Sequence, residues 1–326
     1  MVVRRWIACL GLTLLSLTPA PALGSAEGRG QQPETLSLLG KPLVPPSISP
    51  DRRRTLEADL AAARAAYDKN PEDVDAVIWL GRRTAYLGRF GDAIEIYTRA
   101  IELHPEEPRL YRHRGHRYIT LRKFDLAIRD FKKAADLMED KPDQVEPDGQ
   151  PNARNIPTST LNSNIYYHLG LAHYLKGEFA DATNAYRKCL EFSKTPDMLV
   201  ATTSWLYMTL QRLGLKDAAW QALEPIKPDM DVIENEAYYR LLMVYKGGAS
   251  RESLKTSAKD TDAVTIGYAL GNMSIADGRV EEGVKQLKSL LAKHADQWPA
   301  FGYIAAEADV ARLDKPRKRQ SPIPHP

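Results

Sequence analysis

The stretch "YRHRGHRY", Tyr111 to Tyr118, gathers two histidines and three arginines into about two helical turns. His113 and His116 stand three apart, a spacing that on a helix can bring two imidazoles to one metal ion, with a third ligand such as His173 approaching from a neighbouring element. No carboxylate or cysteine completes a recognised metal motif around them. Elsewhere the chain has no Gly-rich phosphate loop, no His-Glu-x-x-His and no nucleophile elbow. Nothing reads as catalysis, and no cofactor is expected.

The elements that carry these residues recur. Laid on itself at an offset of 34, the chain superposes Gly81 on Gly115, Phe90 on Phe124, Ala93 on Ala127, Tyr97 on Phe131, Ala100 on Ala134 and Leu103 on Leu137. Self-similarity at a fixed period marks a stacked repeat. Two antiparallel helices per unit explain which positions repeat: Gly or Ala where the helices cross closely, Tyr or Phe filling the space between successive pairs. With 43% apolar and 27% charged residues the chain can bury such a seam.

The pattern, closed by Pro105, resembles the tetratricopeptide repeat (TPR). It places repeats at residues 74–107 and 108–141, a third at 163–196 carried by Leu169, Gly170, Gly177, Phe179, Ala182, Tyr186 and Cys189, a fourth at 200–233 with Tyr207 where a small residue belongs, a degenerate fifth at 235–259 and a sixth at 264–297. Residues 142–162, rich in Pro, Asp and Asn, read as an inserted loop projecting from the stack. A lone helix ending at Pro71 and a closing helix from Trp298 cap the array. The resemblance implies an all-α, right-handed α-solenoid over residues 51–313 and a non-enzymatic scaffold with a protein or peptide partner.

In that family the first helices of successive repeats line a concave groove. Carried onto this chain, the lining positions hold Arg82 and Tyr86, then Arg109, Arg112 and His116, then Asn164, Tyr167 and Tyr174. A groove that is cationic and then aromatic suits an extended peptide with an acidic residue or free carboxylate; the other reading is a solvated face whose arginines pair with nearby acids. The carboxylate clamp of one TPR subclass is not reproduced, because Ile78, Arg82, His113, Asn164 and His168 stand at its positions.

The ends carry different signals. Arg4 and Arg5, the apolar run from Trp6 to Leu17 and the small residues that follow have the order of a secretory signal peptide, taken as residues 1–24. Together with the resemblance to exported bacterial TPR proteins, this predicts the periplasm or outer envelope. Its removal leaves Cys189, read as a small buried hydrophobe. Residues 25–50 read as a Pro-rich linker or an arm along the first helices. Residues 314–326 form a basic, Pro-rich tail, either a solvated terminus or a contact for an anionic envelope surface, with Arg312 counted in its basic cluster. The formal charge of +3, two units of it from Arg4 and Arg5, offers no general attraction to nucleic acid.

Overall fold

The computed structural model describes residues 32–256 and 260–314. The signal segment and the tail beyond Asp314 lie outside the described residues. From Pro33 onward the chain forms one unit. A two-stranded hairpin, β1 (Thr35–Leu36) paired antiparallel with β2 (Pro42–Leu43), precedes thirteen α-helices among the described residues. Helix α1 (Pro50–Lys69) is the lone leading helix. Repeat one is α2 (Val74–Tyr86) and α3 (Phe90–Leu103), repeat two α4 (Pro108–Thr120) and α5 (Phe124–Met138), repeat three α6 (Leu161–Lys176) and α7 (Phe179–Phe192). Then follow α8 (Pro196–Arg212), α9 (Lys216–Ala222), α10 (Glu236–Tyr245), α11 (Asp260–Ala276), α12 (Val280–Lys293) and the closing α13 (Phe301–Leu313). The fold is an all-α repeat solenoid. Among the described residues no helix is long and apolar enough to cross a membrane.

The repeating residues do what their sizes require. A methyl group at Gly115 would lie 2.9 Å from Phe131 Cζ and one at Gly170 2.7 Å from Tyr186 Cδ1, and Gly81 meets Tyr97 in the same way. Each first helix is thus keyed to its second by a glycine under an aromatic ring. Second helices then pack on the next first helix, and α2, α4 and α6 also touch one another as an inner row. In the fourth repeat Tyr207 occupies the glycine position and stacks on Tyr245 of α10 with ring centroids 4.3 Å apart. Cys189 is fully buried, and burial pushes its thiol up to about 11, well away from reactivity.

Three segments turn back onto the stack, and two of them differ from what the sequence suggests. Residues 142–162 do not project. Their chain is pinned by backbone bonds from Glu146 N to Ser159 O (3.1 Å) and from Leu161 N to Gln144 O (2.8 Å), and it lies across the first helices. Arg312 is not part of a free tail, because it sits on α13 and donates to Leu175 O (3.2 Å) and Asp309 (2.6 Å). The region read as a linker or arm is, from Pro33 on, an ordered arm: Leu43 is buried, Leu38 N donates to Glu307 Oε1 (2.6 Å), and Val44 O accepts from Trp298 (2.6 Å).

Two buried ion pairs hold α13 against the repeats. Arg122 Nη2 meets Glu307 Oε2 at 2.9 Å, and Arg212 Nη1 meets Asp309 Oδ2 at 2.8 Å. Asp309 also accepts from Tyr268 (3.0 Å), whose hydroxyl bonds Tyr174 (2.6 Å). Arg122 is unusual in its backbone. The turns after α2, α6, α8, α10 and α11 place Gly88, Gly177, Gly214, Gly247 and Gly278 in the left-handed region, whereas the turn after α4 places Arg122 there, at φ 62°. A non-glycine residue costs about 1 kcal/mol or more in that region. The side chain explains the exception, since Arg122 also donates to Trp298 O (3.0 Å) and Thr120 O (2.5 Å).

Arg122→Gly therefore sets relief of turn strain against a buried, unpaired Glu307. Losing one partner of such a pair costs about 3–5 kcal/mol, so urea unfolding should show a net loss of about 2–4 kcal/mol after the strain is relieved. Adding Glu307→Gln should recover much of the loss. A more stable Arg122→Gly protein would mean that the pair does not hold the stack closed.

Candidate functional site

The inner faces of α2, α4 and α6 carry all the residues expected to line a groove, and the structure divides them among four situations. Arg109, at the start of α4, is held by Glu107 (Nε to Oε1, 2.8 Å) and by Asp75 (2.5 Å). For this residue the paired-face arrangement is the one observed. Arg82 lies over the Trp79 ring at 4.7 Å and donates to Pro147 O (2.8 Å), with half-buried Tyr86 beside it.

Arg112 and Asn164 converge on one carboxylate. Glu146, within the inserted segment, is 7% exposed; it accepts from Arg112 Nη2 (2.9 Å) and Asn164 Nδ2 (3.2 Å). Arg112 Nη1 lies 3.1 Å from His113 Nδ1. A guanidinium can only donate, so Nδ1 carries the lone pair and the imidazole proton resides on Nε2, which faces Glu146 at 3.8 Å. Pro147 O on Arg82 and Gly149 O on Arg83 (3.0 Å) continue the same run of contacts. An extended acidic strand of the protein's own chain therefore lies along the first repeats. Its far end is tied to the segment before α10, through Arg154–Asp231 (2.7 Å) and Thr158–Glu234 (2.8 Å).

His116 and Tyr167 belong to a second patch, occupied by α13. Phe301 sits with its ring centroid 5.4 Å from His116, 5.6 Å from His168 and 6.4 Å from Tyr167, and His116 and His168 are 4.6 Å apart. Tyr167 is buried, its hydroxyl 3.4 Å from that of Tyr238. Tyr174 is deeper still, bonded to Tyr268 and to Asn272 (3.0 Å). Arg112 and Tyr167 do share one trough, but both face the protein's own side chains.

The histidine pair whose spacing could serve a metal is arranged differently. His173 is directed to Glu178 (Nδ1 to Oε2, 2.7 Å) and away from His113 and His116. Those two are surrounded by Arg82, Arg112 and Arg117, a field of the wrong sign for a cation. Arg114, the remaining arginine of the cluster, forks onto Asp130 (2.7 and 2.8 Å) and ties α4 to α5. The residues that sequence reading missed are the occupants: Glu146, Phe301, Glu307 and Asp309. Two carboxylates inside the otherwise apolar "GYIAAEADVA" were the available signal for α13.

The buried imidazoles predict a pH dependence. Burial holds His168 down at about 3, and it holds His113 and His116 well below 6.5, with neighbouring arginines adding to the effect. The unfolded chain takes up these protons first. Their contribution to stability is thus complete above pH 6.5 and falls as pH drops toward 3, at up to about 1.4 kcal/mol per pH unit for each histidine. Urea titrations at pH 7 and pH 5 should show a smaller acid loss for His168→Gln than for the wild type. Equal losses would mean that His168 takes up its proton in the folded state as readily as in the unfolded chain.

Tetratricopeptide-repeat profiles match residues 57–108, 81–143 and 163–196. The chain is 28% identical over 154 residues to "BBSome complex member BBS4" of Bos taurus, a match covering 47% of this chain and 25% of that protein. It thus spans about a quarter of the length of this curated relative. Similar solved structures include MamA (18% identity, TM-score 0.40, 62% of this chain and 96% of that one). Another is YrrB, described as a TPR protein with an unusual peptide-binding site (15%, 0.41, 73% and 95%). A third is a tetratricopeptide repeat protein of Parabacteroides merdae (15%, 0.45, 80% and 93%). Residues 57–143 and 163–196 are thus similar to tetratricopeptide repeats, at the places where the structure shows its glycine-keyed helix pairs.

Proposed function

We propose that this protein is a non-enzymatic scaffold of the bacterial cell envelope that binds an acidic, extended segment of a partner protein along the inner face of repeats one to three. TPR repeats support a protein-interaction role in general. The observation that carries the specific reading is Glu146: the inner face already holds an extended acidic strand, with its carboxylate on Arg112 and Asn164 and its carbonyls on Arg82 and Arg83. A partner segment of the same chemistry would take the place of this strand, so the resting groove is self-occupied and partner affinity is reduced by the cost of releasing it. The envelope address rests on the order of Arg4, Arg5, the apolar run and the small residues at the N-terminus.

The reading can be tested without knowing the partner. In a variant whose residues 143–157 are replaced by a Gly/Ser linker of equal length, a synthetic peptide of residues 142–158 should bind in trans, and Glu146→Gln in that peptide should weaken binding about tenfold or more, the worth of a charge-assisted pair. The intact protein should bind the same peptide far more weakly. A folded linker variant that ignores the peptide would remove the groove from consideration. The reading would then move to the exposed apolar side chains around α9, where Trp220 is 53% exposed.

A further inference from the structure

Beneath the Glu146 strand, between α2, α3 and α4, lies a cavity of about 120 Å³, lined by Arg82, Arg112, Arg117, the imidazoles of His113 and His116, and the rings of Tyr86 and Tyr97. The volume suits a few waters or one phosphate-sized ion. Its charge is unbalanced. Among the described residues, Arg112 alone of the three guanidiniums meets a carboxylate, Glu146. Arg82 donates to the uncharged Pro147 carbonyl. The Arg117 guanidinium lies 5.8 Å over the Phe90 ring and has no ion-pair or hydrogen-bond partner among the described residues. Arg112 adds a buried donor, since its Nε has no partner although the residue is only 7% exposed. Asp148 in the strand above feels Arg82 but makes no ion pair with it.

Two uncompensated guanidinium charges facing one polar, half-sheltered cavity are costly by themselves and matched to a dianion. Burial, with Arg112 and Arg82 nearby, pushes Arg117 down to about 10, an effect that an anion among the three would reverse. The neutral imidazole of His116 lines the cavity without adding charge. Gly149 packs against two of the lining residues, and a side chain there would collide with the Tyr86 hydroxyl and come within 2.5 Å of Arg82 Nη2. We propose that this cavity is a binding site for a small tetrahedral oxyanion, phosphate or sulfate, held by Arg82, Arg112 and Arg117. The site does not depend on the peptide reading, because no residue of the acidic strand bonds the Arg117 guanidinium; the two can fail separately.

The test is calorimetric titration of the full chain in chloride buffer at pH 7 and constant ionic strength, with sodium phosphate, sodium sulfate and sodium acetate as probes. Phosphate or sulfate should bind at one saturable site, acetate at least tenfold more weakly. Arg117→Gln should weaken oxyanion binding at least tenfold, while the exposed outer-face change Arg129→Ala leaves it unaltered. In chloride alone Arg117→Gln should melt no lower than the wild type, because it removes a repelled charge, and it should lose the rise in melting temperature that phosphate gives the wild type. Absence of saturable oxyanion binding by the wild type, equal affinity in Arg117→Gln, or acetate binding as tight as phosphate would each overturn the assignment.

Discussion

Arg122 and Glu307 are separated by 185 residues of sequence and meet as a buried pair. The closure of the stack depends on that meeting. Neither charge is tolerable alone in a site so shielded from water, so α13 is either docked with both partners in place or not docked at all. Arg212 and Asp309 impose the same condition nearby. Because Leu38 N also donates to Glu307 and Trp298 bonds the backbone of Val44, the N-terminal arm is committed by the same event. A solenoid normally leaves its inner face to solvent. Here that face is largely covered, which is why Arg112, His113 and His168 are buried and shifted in pKa, and why arginines and histidines of the first helices line a cavity together.

The repeats themselves were legible because they are local and periodic. Gly81, Gly115 and Gly170 under Tyr97, Phe131 and Tyr186 restate one contact at each copy, and a contact between neighbouring helices leaves its trace at a fixed spacing. Helix starts also followed simple rules: Pro108 and Pro196 stand in the first turn of α4 and α8, where a missing N–H costs nothing. Closure was not legible in this way. It is made by single residues far apart, and each looks ordinary in its own repeat. One trace existed: at the offset of 34, Arg122 falls on Gly88, so a residue that should favour the left-handed turn had been replaced by one that does not.

The candidate site was half legible for the same reason. A resemblance between repeats carries positions, so Arg82, Arg112, Asn164 and Tyr167 could be assigned to one inner face. It carries no information on occupants. Glu146 sits in a stretch whose prolines and polar residues give no period, and Phe301 lies on the last helix; only the folded chain brings them to that face. The chemistry inferred for a partner, an extended strand with an acid facing arginine, is the chemistry that the protein supplies to itself.

Hydrogen–deuterium exchange on the full chain tests the central claim, that the inner face is closed by the protein's own α13. Backbone amides of residues 303–310 should exchange as slowly as those of α6 in the middle of the stack, since opening them requires separating two buried ion pairs. If residues 303–310 exchange at the rate of a free terminal helix while α6 stays protected, the inner face is open in solution and the account is wrong.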